Sequence, residues 1–498
     1  MMNEYDENSF KIEEATIKEI QSAFQQNKLT SKQLVQYYLD AIQKLNPTLC
    51  SVIEVNSEAL SQAAKADNDR ILPGGCGCGC SCGMEGIPVL LKDNIATKDT
   101  LNTTSGSFAL LNSVVPRDAG VIDRLRKAGA IILGKAGLSQ WANYRGTNAP
   151  DGWSARGGTV KNPYVLTTEP GGSSTGSAVS VAANLVTVSL GTETNRSIIE
   201  PCSLSCVVGI KPTLGLTSRS GVVPISLRQD TVGPIGRTVS DAVYLLDVIV
   251  GYDPRDDEMT KEACQYIPLG GYKQFLKTDG LSGKRLGNMW HIFKVIYDDP
   301  TSPVPAVFQR HINTMRNNGA VVVNDLELNN FQKIMEGSEE ALALKYEFKR
   351  DLGVYFSNLL KSPIKSLADA IAFNIANSDK EMTNKYNQSK FIDSEETKLP
   401  CSEYTAALSE LTKLSEEGFH KLMRDNSLDA MVVPEFLGAS ILANGGYPGI
   451  IVPSGFDEEG VPFGILFGGL KGSEPKLIEI AYAFEQATKI RKPPSIQV

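Results

Sequence analysis

Residues 171–190 read GGSSTGSAVSVAANLVTVSL, and this stretch decides the fold. A glycine–serine turn comes first, a helix is predicted after Gly176, and the apolar run Leu185–Leu190 is typical of a buried strand. A helix that leads directly into a buried strand is typical of proteins in which helices pack on a sheet. The stretch therefore predicts an α/β fold.

The same alternation continues on both sides of this stretch. Upstream, buried strands predicted at residues 87–91 and 130–134 are separated by a helix at Val121–Lys127. Strand character returns at residues 431–434 and continues through the glycine-rich residues 445–469. We therefore predict an α/β/α layered architecture with a mixed, twisted central sheet, to which both parts of the chain contribute strands.

The residues between these two parts differ in composition. Residues 255–430 are more charged and carry helical periodicity at Glu336–Leu352 and Tyr404–Leu422. A strand pattern that stops and later resumes indicates that residues 1–498 form one domain. Its predicted parts are an N-terminal helical region at 10–85, a sheet core at 86–250 and 430–490, and a helical insertion at 255–430.

The N-terminal region contains a helix with a recognisable start. Thr30 and Gln33 form a capping-box pattern, and apolar residues then recur at helical spacing as far as Leu45. Asn46 and Pro47 predict the end of this helix, because proline breaks the backbone hydrogen bonding of a helix interior.

The composition limits the classes of partner. The chain has 498 residues, 42% of them hydrophobic, and a formal net charge of −8, which argues against nucleic-acid and anionic-membrane partners. No apolar run approaches the roughly 18 residues of a membrane span. The polar, acidic residues 1–10 do not have the pattern of a signal peptide. Whether a leader was removed before residue 1 stays open. Nine cysteines, an odd number, favour a reducing compartment, and we predict a cytoplasmic location.

Four of the cysteines alternate with other residues in a glycine-rich segment, at Cys76, Cys78, Cys80 and Cys82. Zinc sites usually have two to four residues between paired ligands and a second pair far away in the chain. Since this spacing fits no such pattern, we predict an exposed, mobile loop without an ordered metal.

Two serine-containing segments are the candidates for chemistry, residues 171–177 and 190–197. A glycine–serine turn that begins a helix presents backbone N–H groups to an anion or an anionic transition state. A phosphate-binding loop would need a lysine there, and the nucleophile-elbow pattern is not met by Ser173, Ser174 or Ser197.

The candidate base is a lysine. Only three histidines occur, His291, His311 and His420, all in the insertion-like part of the chain, so a Ser-His-Asp triad or a histidine-based metal site is not favoured. Lys92 directly follows a predicted strand, at the sheet edge where ligands gather in open α/β folds. A desolvated lysine can act as a base, whereas a lone lysine is more often a solvated surface charge.

These segments resemble the amidase signature family, and the resemblance extends from about residue 10 to about residue 490. Within this family, the chain is particularly similar to plant-type amidases of unassigned substrate. The motifs that carry it, in the order of the family, are Gly86–Asn94, Gly171–Ser177, Gly191–Glu193, Val208–Thr213, Asp230–Ile235 and Gly446–Pro453.

The resemblance implies a Ser–cisSer–Lys triad. Ser197 corresponds to the nucleophile, Ser173 to the serine that follows a cis peptide bond and relays the proton, and Lys92 to the base. The oxyanion and substrate would be held by backbone around the two serines, at Gly171, Gly172, Thr194, Asn195 and Arg196 together with the N–H of Ser197. The family uses no cofactor or metal, and its helical insertion shapes the substrate site.

The chain departs from the family directly before the nucleophile. Relatives usually have glycine at one or both of the positions occupied here by Asn195 and Arg196, and many have arginine at the position of Ile199. Arginine tolerates a left-handed backbone poorly. Arg196 could point away and leave catalysis intact, enter the cleft and select a carboxylate-bearing substrate, or damage the oxyanion hole.

The leading hypothesis is an amidase, a serine hydrolase or acyltransferase that acts through a Ser197 acyl-enzyme on a small-molecule amide or ester. A catalytically impaired relative that binds a ligand without turnover is the alternative. A third hypothesis, a subunit of a tRNA-dependent amidotransferase, is disfavoured by the net charge of −8. The sequence leaves the oligomeric state open, with a homodimer among the alternatives.

Overall fold

The computed structural model describes residues 10–71, 83–297, 301–398 and 401–496. The cysteine segment at 76–82 lies outside the described residues, so its predicted exposure and lack of metal stay predictions. The strands are β1 (Val52–Val55), β2 (Pro88–Lys92), β3 (Ile131–Ala136), β4 (Trp153–Ser154), β5 (Gly158–Thr159), β6 (Val188–Glu193), β7 (Val208–Lys211), β8 (Thr231–Gly236), β9 (Arg285–Asn288), β10 (Val321–Val323), β11 (Ala430–Pro434), β12 (Gly449–Phe456) and β13 (Pro462–Gly468).

The α-helices surround this set of strands. They are α1 (Ile17–Gln25), α2 (Ser31–Leu49), α3 (Ala59–Ile71), α4 (Gly120–Lys127), α5 (Thr175–Ala182), α6 (Ile199–Ser203), α7 (Val239–Ile249), α8 (Asp257–Ala263), α9 (Trp290–Phe293), α10 (Val304–Asn317), α11 (Phe331–Glu336), α12 (Ser338–Asn358), α13 (Leu367–Ala376), α14 (Ser378–Glu381), α15 (Ser389–Glu395), α16 (Ser402–Leu414), α17 (Lys421–Asp425), α18 (Ala439–Gly445) and α19 (Glu474–Thr488).

One large mixed sheet organises the molecule. Its strand order is β1-β3-β2-β6-β8-β7-β12-β13-β11-β9-β10, and β4 and β5 form a separate hairpin. Parallel pairs join β2 to β3 and β6, and also join β9 to β10 and β11, while the central strands pair antiparallel. Strands from both parts of the chain share this sheet, which supports the proposal of a single domain.

Hydrophobic cores lie on both faces of the sheet. Successive side chains of a strand point to opposite faces, and in β11 the residues Met431 and Val433 join one core cluster while Val432 joins another. The second cluster also contains buried residues of helices α7, α10 and α19. The predicted α/β/α architecture with a mixed sheet is therefore confirmed.

Two strands come from the region predicted to be a helical insertion. β9 pairs with β11, and β10 continues the sheet as its edge strand. Neither was predicted, because each has only three or four residues and β9 contains a glycine and an asparagine. The consecutive valines of β10 were the available signal, since β-branched residues favour strands.

The end of helix α2 differs from the prediction. The helix begins after the Thr30 cap as expected but continues through Pro47 to Leu49, so the predicted end at Asn46 was wrong. The side chain of Asn46 exchanges two hydrogen bonds of 2.8 Å with the backbone of Val52, and Leu49 is fully buried. These contacts hold the last turn in place although proline donates no hydrogen bond there.

Helix α5 lies unusually close to the neighbouring backbone, and this contact sets the position of the glycine–serine turn. A Cβ atom on Gly176 would lie 2.3 Å from the carbonyl oxygen of Ser51 and 2.5 Å from the backbone nitrogen of Gly137. The Gly176 N–H donates to the Gly137 carbonyl at 2.9 Å. Only glycine permits this distance, so Gly176 fixes the helix that carries the turn.

We expect Gly176→Ala to lower the free energy of unfolding by about 3 kcal/mol, because the obstructing atoms belong to backbone that cannot move aside cheaply. Gly353→Ala is the matched control, since Gly353 lies inside α12 and a Cβ there would meet nothing within 4 Å. That control should be neutral or stabilising by up to about 1 kcal/mol. Urea unfolding measures both variants, and equal stability of the two would contradict the close-packing argument.

Candidate active site

Lys92 is the last residue of β2, at the carboxyl end of adjacent parallel strands, and its side chain is fully buried. Its Nζ atom lies 2.7 Å from Ser173 Oγ, 3.0 Å from Ser174 Oγ and 2.9 Å from the carbonyl oxygen of Thr192. The lysine and the glycine–serine turn, predicted separately, therefore meet in one buried site.

Burial controls the protonation of this lysine. Desolvation lowers the pKa of Lys92 to about 7, because the charged ammonium is poorly stabilised away from water. The carboxylates of Glu193 and Asp230 oppose this shift, but the effect of burial is larger. A substantial fraction of Lys92 is therefore neutral near physiological pH.

The glycine–serine turn is shaped by the side chains packed around it. The Gly172–Ser173 peptide bond is cis, and Gly171 has a φ of +68°. A Cβ on Gly171 would lie 2.9 Å from Glu200 Cγ, and one on Gly172 would lie 2.6 Å from Asp151 Oδ1. Gly171 is therefore favoured both for space and for its positive φ, whereas Gly172 is favoured for space alone.

Ser197 ends a short segment, residues 194–197, that we call the nucleophile loop after the role that the resemblance implies for Ser197. The carboxylate of Glu193 accepts the N–H groups of Ile198 at 2.6 Å and Ile199 at 3.0 Å, which closes the loop at the start of α6. The Ser174 N–H donates to the Ser197 carbonyl at 3.0 Å and ties this loop to the glycine–serine turn. Ser197 Oγ lies 3.5 Å from the carbonyl oxygen of Asn195.

The backbone N–H groups of the nucleophile loop are available to a ligand. Among the described residues, none accepts a hydrogen bond from the N–H of Thr194, Asn195, Arg196 or Ser197. Consecutive free N–H groups form a concave donor surface that suits an oxyanion.

Arg196 adopts the left-handed backbone that its position demands, with a φ of +54°. Its side chain is 55% exposed, and Nε lies 3.6 Å from the carboxylate of Glu200. Burial raises the pKa of Glu200 to about 7, which the nearby guanidinium opposes. The arginine thus pairs with an acid at the rim of the site.

Two acidic residues to which the sequence assigned no role, Asp230 and Glu340, form hydrogen bonds with side chains of the nucleophile loop. Asp230 accepts a hydrogen bond of 2.5 Å from Thr194 Oγ1 and also accepts the N–H groups of Ile225 and Ser226. Asp230 begins the motif Asp230–Ile235, to which the resemblance assigned no chemical role. Nothing in the sequence distinguishes Glu340, which contacts the Asn195 side chain, from the other acidic residues of its helical segment.

The histidines are engaged elsewhere. His311 Nε2 lies 2.7 Å from the carbonyl oxygen of Ser454, and its ring packs against Phe484. His291 lies beside Lys294, and His420 belongs to a short π-helical turn between α16 and α17. Within the described ranges no three His, Cys, Asp or Glu side chains are grouped as metal ligands.

Comparison with known proteins identifies the family. The sequence profile described as Amidase matches residues 33–478. A probable amidase of Arabidopsis thaliana is 56% identical over 489 residues, which cover 98% of this chain and 92% of that protein. The chain belongs to the amidase family. The resemblance predicted from the motifs is confirmed, and the enzyme is a hydrolase of carbon–nitrogen amide bonds.

Solved structures support the same assignment. The native peptide amidase from Stenotrophomonas maltophilia superposes with a TM-score of 0.87 at 39% identity, covering 97% of this chain and 99% of that one. An amidase family protein from Bacillus anthracis superposes with a TM-score of 0.90 at 34% identity, covering 97% and 93%. Within the described part of this amidase, no helix has both the length and the apolar character needed to cross a membrane.

We expect Arg196→Gly to stabilise the protein by about 1 kcal/mol, because glycine adopts a positive φ without the steric cost of a Cβ atom. Arg196→Ala removes the same guanidinium but keeps the Cβ, so it should give no such gain. The midpoints of urea unfolding separate the two effects, and equal gains in both variants would assign the effect to the side chain.

Proposed function

We propose that this amidase cleaves its substrate through a Ser197 acyl-enzyme, with Ser173 as the proton relay and Lys92 as the base. The observation that carries the proposal is the 2.7 Å contact between Lys92 Nζ and Ser173 Oγ in a fully buried setting. A buried lysine with a pKa of about 7 can accept a proton at neutral pH, which a solvated lysine cannot.

The hydrogen bonds around Lys92 suit its neutral form. A neutral amine has two N–H donors, which match the Thr192 carbonyl and Ser174 Oγ, and one lone pair, which then faces the hydroxyl of Ser173. Lys92 takes the Ser173 proton while Ser173 takes the proton of Ser197. Ser197 Oγ then forms a bond to the carbonyl carbon of the substrate.

The negative charge that develops on the carbonyl oxygen would be stabilised by the free N–H groups of the nucleophile loop. When the carbon–nitrogen bond breaks, the leaving amine takes the proton that Lys92 returns through Ser173. Water, deprotonated by the same route, then attacks the acyl ester, releases the acid and restores Ser197.

The substrate class is a small or medium amide. The likeness to a peptide amidase at 39% identity makes amides of peptides the first candidates to test. The same acyl-enzyme would form from an ester or pass its acyl group to an amine. Because Arg196 pairs with Glu200 and is half exposed, the geometry supports an arginine that leaves the reacting atoms free, and no feature of the described residues favours an impaired site.

A fluorophosphonate probe, which labels activated serines, tests the proposal. We expect labelling of the wild-type protein and none of Ser197→Ala. Lys92→Met and Ser173→Ala should each slow labelling at least about a hundredfold. Since base and relay act as one unit, the double variant should be little worse than either single variant.

Lys135→Met is the matched control, because Lys135 is another fully buried lysine on the neighbouring strand but bonds to Ile95 and Thr103. Its folded fraction should label at the wild-type rate. If the rate loss in the double variant equals the product of the losses in Lys92→Met and Ser173→Ala, the two residues act independently and the proton takes another route.

The rate of labelling should rise with pH to a plateau with a midpoint near pH 7. Lys92 acts only when neutral, and burial lowers its pKa to about 7, so each pH unit below that value reduces the active fraction about tenfold. The measurement is the labelling rate between pH 5.5 and 9, corrected for stability by circular dichroism. A flat profile, or a rate that still rises about tenfold per pH unit up to pH 9, would argue against Lys92 as the base.

A further inference from the structure

Glu340 is a buried acid that the proposed reaction does not use. It lies in the first turn of α12, within the region 255–430, and only 8% of its surface is exposed. Burial raises the pKa of its carboxyl group, while Arg228 and Arg196, the charged groups that act on it, oppose that shift. A carboxylate removed from water needs hydrogen-bond donors.

Its donors come from the nucleophile loop and from a neighbouring turn. Asn195 Nδ2 lies 3.0 Å from one oxygen of Glu340 and 2.9 Å from the other. Gln229 Nε2 donates to Glu340 at 2.5 Å and also lies 3.4 Å from the Thr194 carbonyl oxygen. Glu340 is thus linked to two successive residues of the nucleophile loop.

The other end of the Asn195 amide is held as well. Ser440 Oγ, on helix α18, donates to Asn195 Oδ1 at 3.2 Å. Both polar ends of the Asn195 side chain are therefore occupied by partners outside the loop. We call Glu340, Asn195, Gln229 and Ser440 the loop anchor.

We propose that Glu340 is a positioning residue that, through Asn195, fixes the nucleophile loop so that its N–H groups converge on the oxyanion. This inference rests on the proposed function of that loop. It also gives a reason for a side chain at position 195, where the family commonly has glycine: the backbone there is held by its own side chain.

The geometry explains why the effect should fall on the reaction step. Glu340 accepts hydrogen bonds from Asn195 and Gln229 and forms none with Ser173 or Lys92 among the described residues. Without its carboxylate, the amide N–H groups of Asn195 and Gln229 lose a buried acceptor, and the loop moves to satisfy them. A displacement of the N–H donors weakens transition-state binding more than it weakens the first binding of a ligand.

The experiment measures saturable fluorophosphonate labelling of Ser197 in the full-length protein. We expect Glu340→Ala to lower the maximal labelling rate at least about tenfold while the half-saturating probe concentration changes less than about threefold. Glu340→Gln keeps one acceptor oxygen and should recover part of the loss. Asn195→Ala should reproduce the loss, and the double variant Asn195→Ala/Glu340→Ala should be no worse than either single variant.

Glu339→Ala is the matched control, because Glu339 is in the same helical turn with the same charge but pairs with Lys333 at 3.4 Å. It should leave the maximal rate unchanged. Equal losses in Glu339→Ala and Glu340→Ala, or a wild-type rate in Glu340→Ala, would overturn the positioning role. If Glu340→Ala does not fold, Asn195→Ala decides alone, and a wild-type rate there would overturn the role. Failure of the wild-type protein to label at Ser197 would instead reject the proposed function itself.

Discussion

The proposed chemistry depends on keeping the amine of Lys92 out of water. In that proposal Lys92 acts as a base only while its pKa stays near 7, and that value results from complete burial against the opposing charges of Glu193 and Asp230. Water beside Nζ would raise that pKa towards the value of a solvated lysine. Much of the architecture serves this constraint, since the lysine ends an interior strand with β3 on one side and β6 on the other.

Close packing of the glycine–serine turn keeps water away from Nζ, since Lys92, Ser173 and Ser174 are all fully buried. Gly171, Gly172 and Gly176 permit this packing, because a Cβ at each would lie less than 3.0 Å from a neighbouring atom. Each of the two serine hydroxyl groups then replaces a water molecule that the amine has lost on burial. Dehydration and hydrogen bonding are therefore provided by the same turn.

Much of this could be predicted from the sequence. The strands β2, β3, β6 and β11 followed from apolar runs and glycine-rich motifs, which are local signals. The meeting of Lys92 with Ser173 followed from the family resemblance, since local patterns marked the lysine and the glycine–serine turn only as separate candidates. The end of α2 was missed because its last turn is held by Asn46 and Val52 across a turn of the chain. Glu340 could not be predicted, because it is about 145 residues from Asn195 and nothing in its own helix distinguishes it. Local patterns specify elements, whereas such long-range partners emerge only from packing.

The order of strands in the sheet has a consequence for how the enzyme can be divided. Six neighbouring strands, from β1 to β7 in the sheet order, come from residues 52–236, and the other five come from residues 285–468. The proposed reacting residues, Lys92, Ser173 and Ser197, lie within residues 52–236, whereas Glu340 and Ser440 of the loop anchor lie within residues 285–468. A chain cut between α7 and β9 would place the chemistry on one fragment and the support of its nucleophile loop on the other. Fragment complementation would then make catalysis itself a reporter of whether the two halves have reunited across the β7–β12 seam.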